Sequence, residues 1–171
     1  MVDTVLGIGD DSFAGTADAD SIHGGNGNDY LTGGDGNDTI YGDNGSDFIE
    51  GQGGDDLLYG GDDAEYDLSG GDGDDTLYGG DGDDRLTGQA DDDLIYGGKG
   101  DDSNLVGGSG DDTIYGDGGS DLIYGDQDSD LLYGGAGNDT LYGGADNDVL
   151  VGGMDTDSLY GGEGTDLYIG T

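Results

Sequence analysis

One large aliphatic residue returns every nine or ten positions along most of this chain, always inside the same polar context. The series runs Ile22, Leu31, Ile40, Ile49, Leu58, Leu68, Leu77, Leu86, Ile95, Leu105, Ile114, Ile123, Leu132, Leu141, Leu150 and Leu159, and Tyr168 continues it. In single letters the repeat is G-G-x-G-x-D-x-U-x, with U the aliphatic position. Its seventeen copies begin at Gly15, Gly24, Gly33, Gly42, Gly51, Gly60, Gly70, Gly79, Gly88, Gly97, Gly107, Gly116, Gly125, Gly134, Gly143, Gly152 and Gly161. Before Gly15 the pattern is frayed: Gly7 to Ala14 reads as an eight-residue repeat with Asp11 and Phe13 in register, and Asp3 to Leu6 as the tail of another. The chain therefore divides into a degenerate N-terminal segment, 1–14, and a repeat domain, 15–169. A repeat this short and regular specifies a solenoid, in which each unit buries its apolar residue only by stacking on its neighbours.

The glycines at positions 1, 2 and 4 permit positive φ and close backbone approach, so the first six residues of each repeat predict a tight turn. The last three, x-U-x, alternate outward, inward, outward as a short strand does. Two repeats close one coil with a strand on each side, and coils stack as two parallel sheets about 4.8 Å per layer. The expected fold is all-β: a parallel β-solenoid of about nine coils, roughly 43 Å long. Some turns lose a glycine. Position 4 is Asp at Asp18, Asp63, Asp91, Asp128, Asp146 and Asp155, and position 2 is Thr16, Asp43, Gln52, Gln89, Asp117 or Asp126; such turns keep the key carboxylate, and their sites are expected to be weaker or reshaped, not absent. The repeats at Gly60 and Gly97 have ten residues, and a β-bulge on one side of the coil is the expected accommodation.

Composition adds a constraint. With two basic residues and a net charge of −40, the chain has nothing with which to neutralise phosphates, which argues against nucleic acid and anionic membranes as partners. No apolar stretch is long enough for a signal-peptide core or a membrane span, so no membrane insertion is expected. There is no Cys to form a disulfide, which fits an extracellular bacterial protein that relies on metal. One aliphatic side chain per nine residues does not offset the entropy of ordering nine backbones. Cations supply the missing stabilisation. Position 6 is Asp in sixteen repeats, Asp20, Asp29, Asp38, Asp47, Asp56, Asp75, Asp84, Asp93, Asp102, Asp112, Asp121, Asp130, Asp139, Asp148, Asp157 and Asp166, and Glu65, the weaker ligand, in one. Carboxylates and backbone carbonyls together suit Ca²⁺, which takes six to eight oxygens in flexible geometry. Turns two repeats apart lie side by side in two columns, and an ion between each neighbouring pair gives about fifteen Ca²⁺ ions.

The repeats Gly24-Gly25-Asn26-Gly27-Asn28-Asp29-Tyr30-Leu31-Thr32, Gly33 to Tyr41 and Gly134 to Tyr142 resemble those of the RTX, or haemolysin-type, calcium-binding family. The resemblance covers nearly all of the repeat domain. It implies a right-handed parallel β-roll, Ca²⁺ held by the position-6 Asp and turn carbonyls, and a bacterial chain that stays unfolded until a type I system secretes it to the cell surface or medium.

Other readings of the same residues are weaker. The nearest EF-hand match, Asp126-Gln127-Asp128-Ser129-Asp130, has Leu131 where glycine is needed and Gly137 in place of the closing Glu. His23, at outward position 9, reads as a solvated face residue, and one His builds no catalytic triad or zinc site. No enzyme is expected. Also at position 9, Tyr41, Tyr59, Tyr78, Tyr96, Tyr115 and Tyr133 fall on successive coils of one sheet. This Tyr ladder either stabilises the sheet by neighbour contacts or offers a flat surface for lateral self-association or a polysaccharide. The last repeat runs to Ile169, leaving an edge expected to be bare, as in an excised module or a protein that stacks head to tail into filaments. Three roles follow: a calcium-folded secreted module, a self-assembling filament or surface protein, and an accessory module of a secreted toxin, protease or polysaccharide-modifying enzyme.

Overall fold

In the computed structural model, which describes residues 1 and 3–170, every repeat contributes one strand, and all but Asp3–Val5, Ser12–Ala14 and Leu167–Ile169 are longer than the three residues expected. Thr39–Asn44 is typical: it starts at position 7 and continues through positions 1 to 3 of the following repeat. The glycines therefore belong to the strand as well as to the bend. Gly61 pairs with Gly80 across coils as regularly as Leu58 pairs with Leu77. With no Cβ in the way, neighbouring backbones keep ladder distance while the chain starts to bend. Only positions 4 to 6 lie outside the ladder.

The strands form two parallel sheets, one of ten strands from Asp3–Val5 to Leu167–Ile169 and one of nine from Ser12–Ala14 to Ser158–Gly162. Consecutive strands alternate between sheets, so each coil has one strand in each, and the described residues contain no helix. This is the all-β parallel solenoid of about nine coils that the period predicts. Between the sheets lie fifteen of the predicted inward residues, from Ile22 to Leu150, all fully buried. Leu159 is only partly buried. Tyr168 departs from the expectation: it is 51% exposed, and its hydroxyl accepts the Gly161 amide at 3.0 Å. It lies in the last strand of its sheet, where Leu167 (55%) and Ile169 (48%) are about as exposed, and its side chain folds back over its own turn.

The frayed segment is more regular than its sequence suggests. Thr4 pairs with Ile22 and Phe13 with Leu31, both in core register. A Cβ placed on Gly25 would stand 2.5 Å from the Gly7 carbonyl oxygen, and one on Gly27 2.6 Å from that of Gly9. Gly7 and Gly9 thus occupy positions 2 and 4, and the repeat starts at Leu6, with nine residues instead of eight. Leu6 replaces the first glycine and packs against the core.

Both ten-residue repeats bulge on the nine-strand sheet. The Asp47 carbonyl accepts from the amides of Tyr66 (3.0 Å) and Asp67 (3.4 Å), so two residues oppose one, as a bulge requires. Asp67 then pairs with Phe48, and Tyr66 is pushed out to 70% exposure. At the other insertion the Ser103 amide bonds the Asp84 carbonyl at 3.1 Å, and pairing resumes with Asn104 opposite Arg85.

On the outside of the ten-strand sheet the Tyr ladder stands in the predicted order, with ring centroids 4.7–5.0 Å apart and planes within 7°. His23 belongs to it, which corrects its reading as a solvated residue. Its ring stacks on Tyr41 at 4.3 Å, and its Nδ1 lies 3.1 Å from Asp43 Oδ2. Because the rings lie face to face, their faces are spent on each other and only edges meet solvent. That favours neighbour stabilisation over sugar stacking, which needs open aromatic faces.

Candidate metal centre

The site is a gap between two stacked turns, and its shape follows from backbone handedness. At position 2, φ is positive in every repeat from Gly24 onward, including the five where Asp43, Gln52, Gln89, Asp117 or Asp126 replaces glycine. At position 4, Asp91, Asp128, Asp146 and Asp155 likewise adopt φ near 70°. Asp tolerates this left-handed region better than most residues, so these turns keep the glycine conformation and are not reshaped. Thr16, Asp18 and Asp63 are the exceptions, since none has positive φ.

The gap between Gly79–Asp84 and Gly97–Asp102 shows the full arrangement. The carbonyls of Gly80 and Gly82 point up at Gly98 and Gly100, and the Gly97 carbonyl points back at Gly79, 2.5 Å from where a Cβ would stand. The Lys99 carbonyl accepts the Gly82 amide at 2.7 Å. Asp84 Oδ2 lies over Gly79 in the same cradle. Any side chain at Gly79 would fill the space these oxygens enclose, which is why position 1 is glycine in every repeat from Gly15 onward.

The predicted acids stack in two columns. One contains Asp20, Asp38, Asp56, Asp75, Asp93, Asp112, Asp130, Asp148 and Asp166; the other Asp29, Asp47, Glu65, Asp84, Asp102, Asp121, Asp139 and Asp157. All are buried except Asp157 and Asp166, which are half-buried. From Asp29 onward each acid uses its two oxygens differently. Oδ1 accepts the amide of the acid one coil earlier, as in Asp84 to Asp102 (2.8 Å) and Asp112 to Asp130 (2.9 Å). Glu65 makes the same bond from Asp47 at a longer 3.4 Å. The second oxygen faces the following turn, and in fifteen of these residues, from Asp29 to Asp157, it is buried without a hydrogen-bond partner. Burial pushes nine of these carboxyls well up: Asp47 and Asp75 to about 6, Asp56, Asp102, Asp112 and Asp121 to about 7, and Glu65, Asp93 and Asp130 to about 8.

Unpartnered buried carboxylate oxygens are costly unless a cation satisfies them. Among the described residues no three His, Cys, Asp or Glu side chains converge on one point. The oxygens available are one carboxylate per gap plus main-chain carbonyls, a donor set that fits a hard ion and offers nothing to a soft one.

A second ladder escaped the sequence reading. Position 5 carries Asn, Asp, Ser or Thr in all but two repeats, where Ala19 and Ala64 stand. Its side-chain oxygen accepts the position-5 amide of an adjacent coil, as in Asp101 to Asp83 and Ser120 to Asp101, both 2.8 Å. The signal was present, but it is a shared oxygen and not a shared residue.

These stacked turns define a repeat solenoid built to hold hard cations between coils. The family model for the RTX calcium-binding nonapeptide repeat matches residues 6–40, 32–64, 69–103, 104–132 and 133–168. The chain belongs to that family, and calcium binding in a β-roll comes with it. The first match begins at Leu6, where the structure places the start of the frayed repeat. No curated protein matches the chain.

Proposed function

We propose that the protein is a secreted bacterial structural module that folds when calcium enters its turn gaps, and that its role is mechanical and not catalytic. The observation that carries this reading is the column of buried carboxylate oxygens without partners. In each regular gap, such as that between Gly79–Asp84 and Gly97–Asp102, the Asp Oδ2, the position-2 and position-4 carbonyls of the lower turn and the position-1 carbonyl of the upper turn would hold the ion. Bound there, calcium neutralises the buried charge and ties adjacent coils together. The ligands converge only in the fold, so binding free energy becomes folding free energy. Extracellular calcium modules bind with dissociation constants near 10⁻⁴–10⁻³ M, which leaves such a chain loose in calcium-poor cytosol and rigid outside the cell.

Calcium is titrated into chelated protein while circular dichroism and light scattering are followed, with Mg²⁺ as control. Cooperative gain of strand signal with Ca²⁺ alone and flat scattering is the expected result. Scattering that rises in step with folding assigns self-assembly to the chain instead. A strand signal indifferent to calcium sinks the reading.

A further inference from the structure

The turn gaps are not equal, and the differences lie in the backbone. In the turn Gly15–Asp20, Thr16 is β-branched and stays out of the left-handed region that every later position-2 residue adopts. Its amide therefore points at its own acid, donating to Asp20 Oδ2 at 2.7 Å, and its hydroxyl donates to the same oxygen at 2.9 Å. The oxygen that faces a cation elsewhere is here engaged by protein. Asp18, also without positive φ, turns its carbonyl aside: the atoms nearest a Cβ on Gly36 are the Ala19 amide nitrogen and the Asp18 carbonyl carbon, both at 2.9 Å.

The other column starts in the same way. In the turn Leu6–Asp11 the Gly7 amide donates to Asp11 Oδ2 at 3.3 Å. Leu6 puts an apolar side chain at the position where every later turn has bare glycine over its carboxylate, and that side chain packs on the core.

A third departure sits within the roll. In Gly60–Glu65, Asp63 lacks positive φ, and the nearest atom to a Cβ on Gly82 is the Ala64 amide nitrogen at 2.5 Å, not a carbonyl oxygen. The longer Glu65 brings its Cγ to within 2.5 Å of the Gly60 cradle point. Yet Glu65 is 3% exposed and its Oε1 has no partner. This gap keeps its demand for a cation and loses one of the carbonyls that would hold it.

We propose that the lowest-numbered turn of each column is closed by protein groups and takes no calcium, that thirteen gaps take calcium alike, and that the Glu65 gap takes one ion more weakly. The thirteen are those whose lower turn has positive φ at both positions and an unpartnered Oδ2. The inference rests on calcium being the ligand of the gaps. The loss of one ligating oxygen makes the Glu65 ion about tenfold weaker.

Equilibrium calcium binding to the whole chain, by flow dialysis at neutral pH, tests it. Thirteen tight ions and one weaker ion are expected. Glu65→Asp should strengthen the weak ion, and Thr16→Gly with Asp18→Gly should add one ion to the total. Fifteen or more equivalent ions in the wild-type chain overturn the inference and leave calcium-driven folding standing, as does an unchanged total in a folded double variant. Absence of any binding overturns both.

Discussion

The aliphatic column and the turn columns repeat with the same period, yet they differ in what completes them. Ile95 and its neighbours above and below exclude water using protein atoms alone. A few ångströms away, Asp93 and Asp112 lie equally buried with an oxygen each unmatched. The apolar half of each coil is finished by stacking, whereas the polar half waits for something from solution. Under the proposed function, a solenoid with such a thin core stands or falls with the condition set on its turns.

The broadest way to break this contrast is to remove the turn charge without supplying an ion. Nine of the buried carboxyls, among them Asp47, Asp56, Asp93 and Asp130, have pKa values raised to between about 6 and about 8 by desolvation, against about 4 in an unfolded chain. A raised carboxyl stabilises the fold fully below pH 4, and that contribution is lost as pH rises through 6 to 8. In chelator, strand signal by circular dichroism should therefore be greater at pH 5 than at pH 8. With calcium present the order should reverse, since protons compete for the same oxygens.

Gly97→Val attacks one cradle, placing a branched side chain against Asp102 Oδ2 and the Gly116 carbonyl oxygen. It should raise the calcium midpoint of folding at least severalfold, and an unchanged midpoint would remove the cradle from the site. Leu77→Ala, a fully buried position, should cost about 2–5 kcal/mol in thermal unfolding at saturating calcium, with calcium unable to restore it. Tyr96→Ala should cost only about 1 kcal/mol and leave the calcium midpoint nearly unmoved, which separates the outer ladder from both halves of the coil.

Positions 6 and 8 were legible because each is confined to one kind of residue, and that was enough to read the solenoid, its two sheets and the place of the acids. Glycine misled twice. At positions 1 to 3 it reads as turn, although Gly61 and Gly80 pair as strand; and it set the register so firmly that Leu6 was not seen as the start of a repeat. Asp91 and Asp128 looked like damaged turns, because sequence shows the lost glycine and not the φ of 74° or 71° that Asp adopts in its place. Position 5 carries a fainter signal, because Asn37, Asp55, Ser120 and Thr165 share only a hydrogen-bonding oxygen. His23 stands on the outer face as expected, but its stacking on Tyr41 was not legible because it depends on a neighbour eighteen residues away.

The division of labour within each carboxylate gives the rod a polarity. One oxygen latches onto the turn already laid down, as Asp102 does with the Asp84 amide, while the other opens toward the turn to come. A new coil therefore finishes the pocket of its predecessor and presents an unfinished one of its own, so that under the proposed function construction from low to high residue number would advance like a ratchet whose pawl is an ion. Peeling from the high-numbered side exposes one pocket per column at a time, and under the proposed function calcium in the surrounding medium would set the tension against which the rod is unwound.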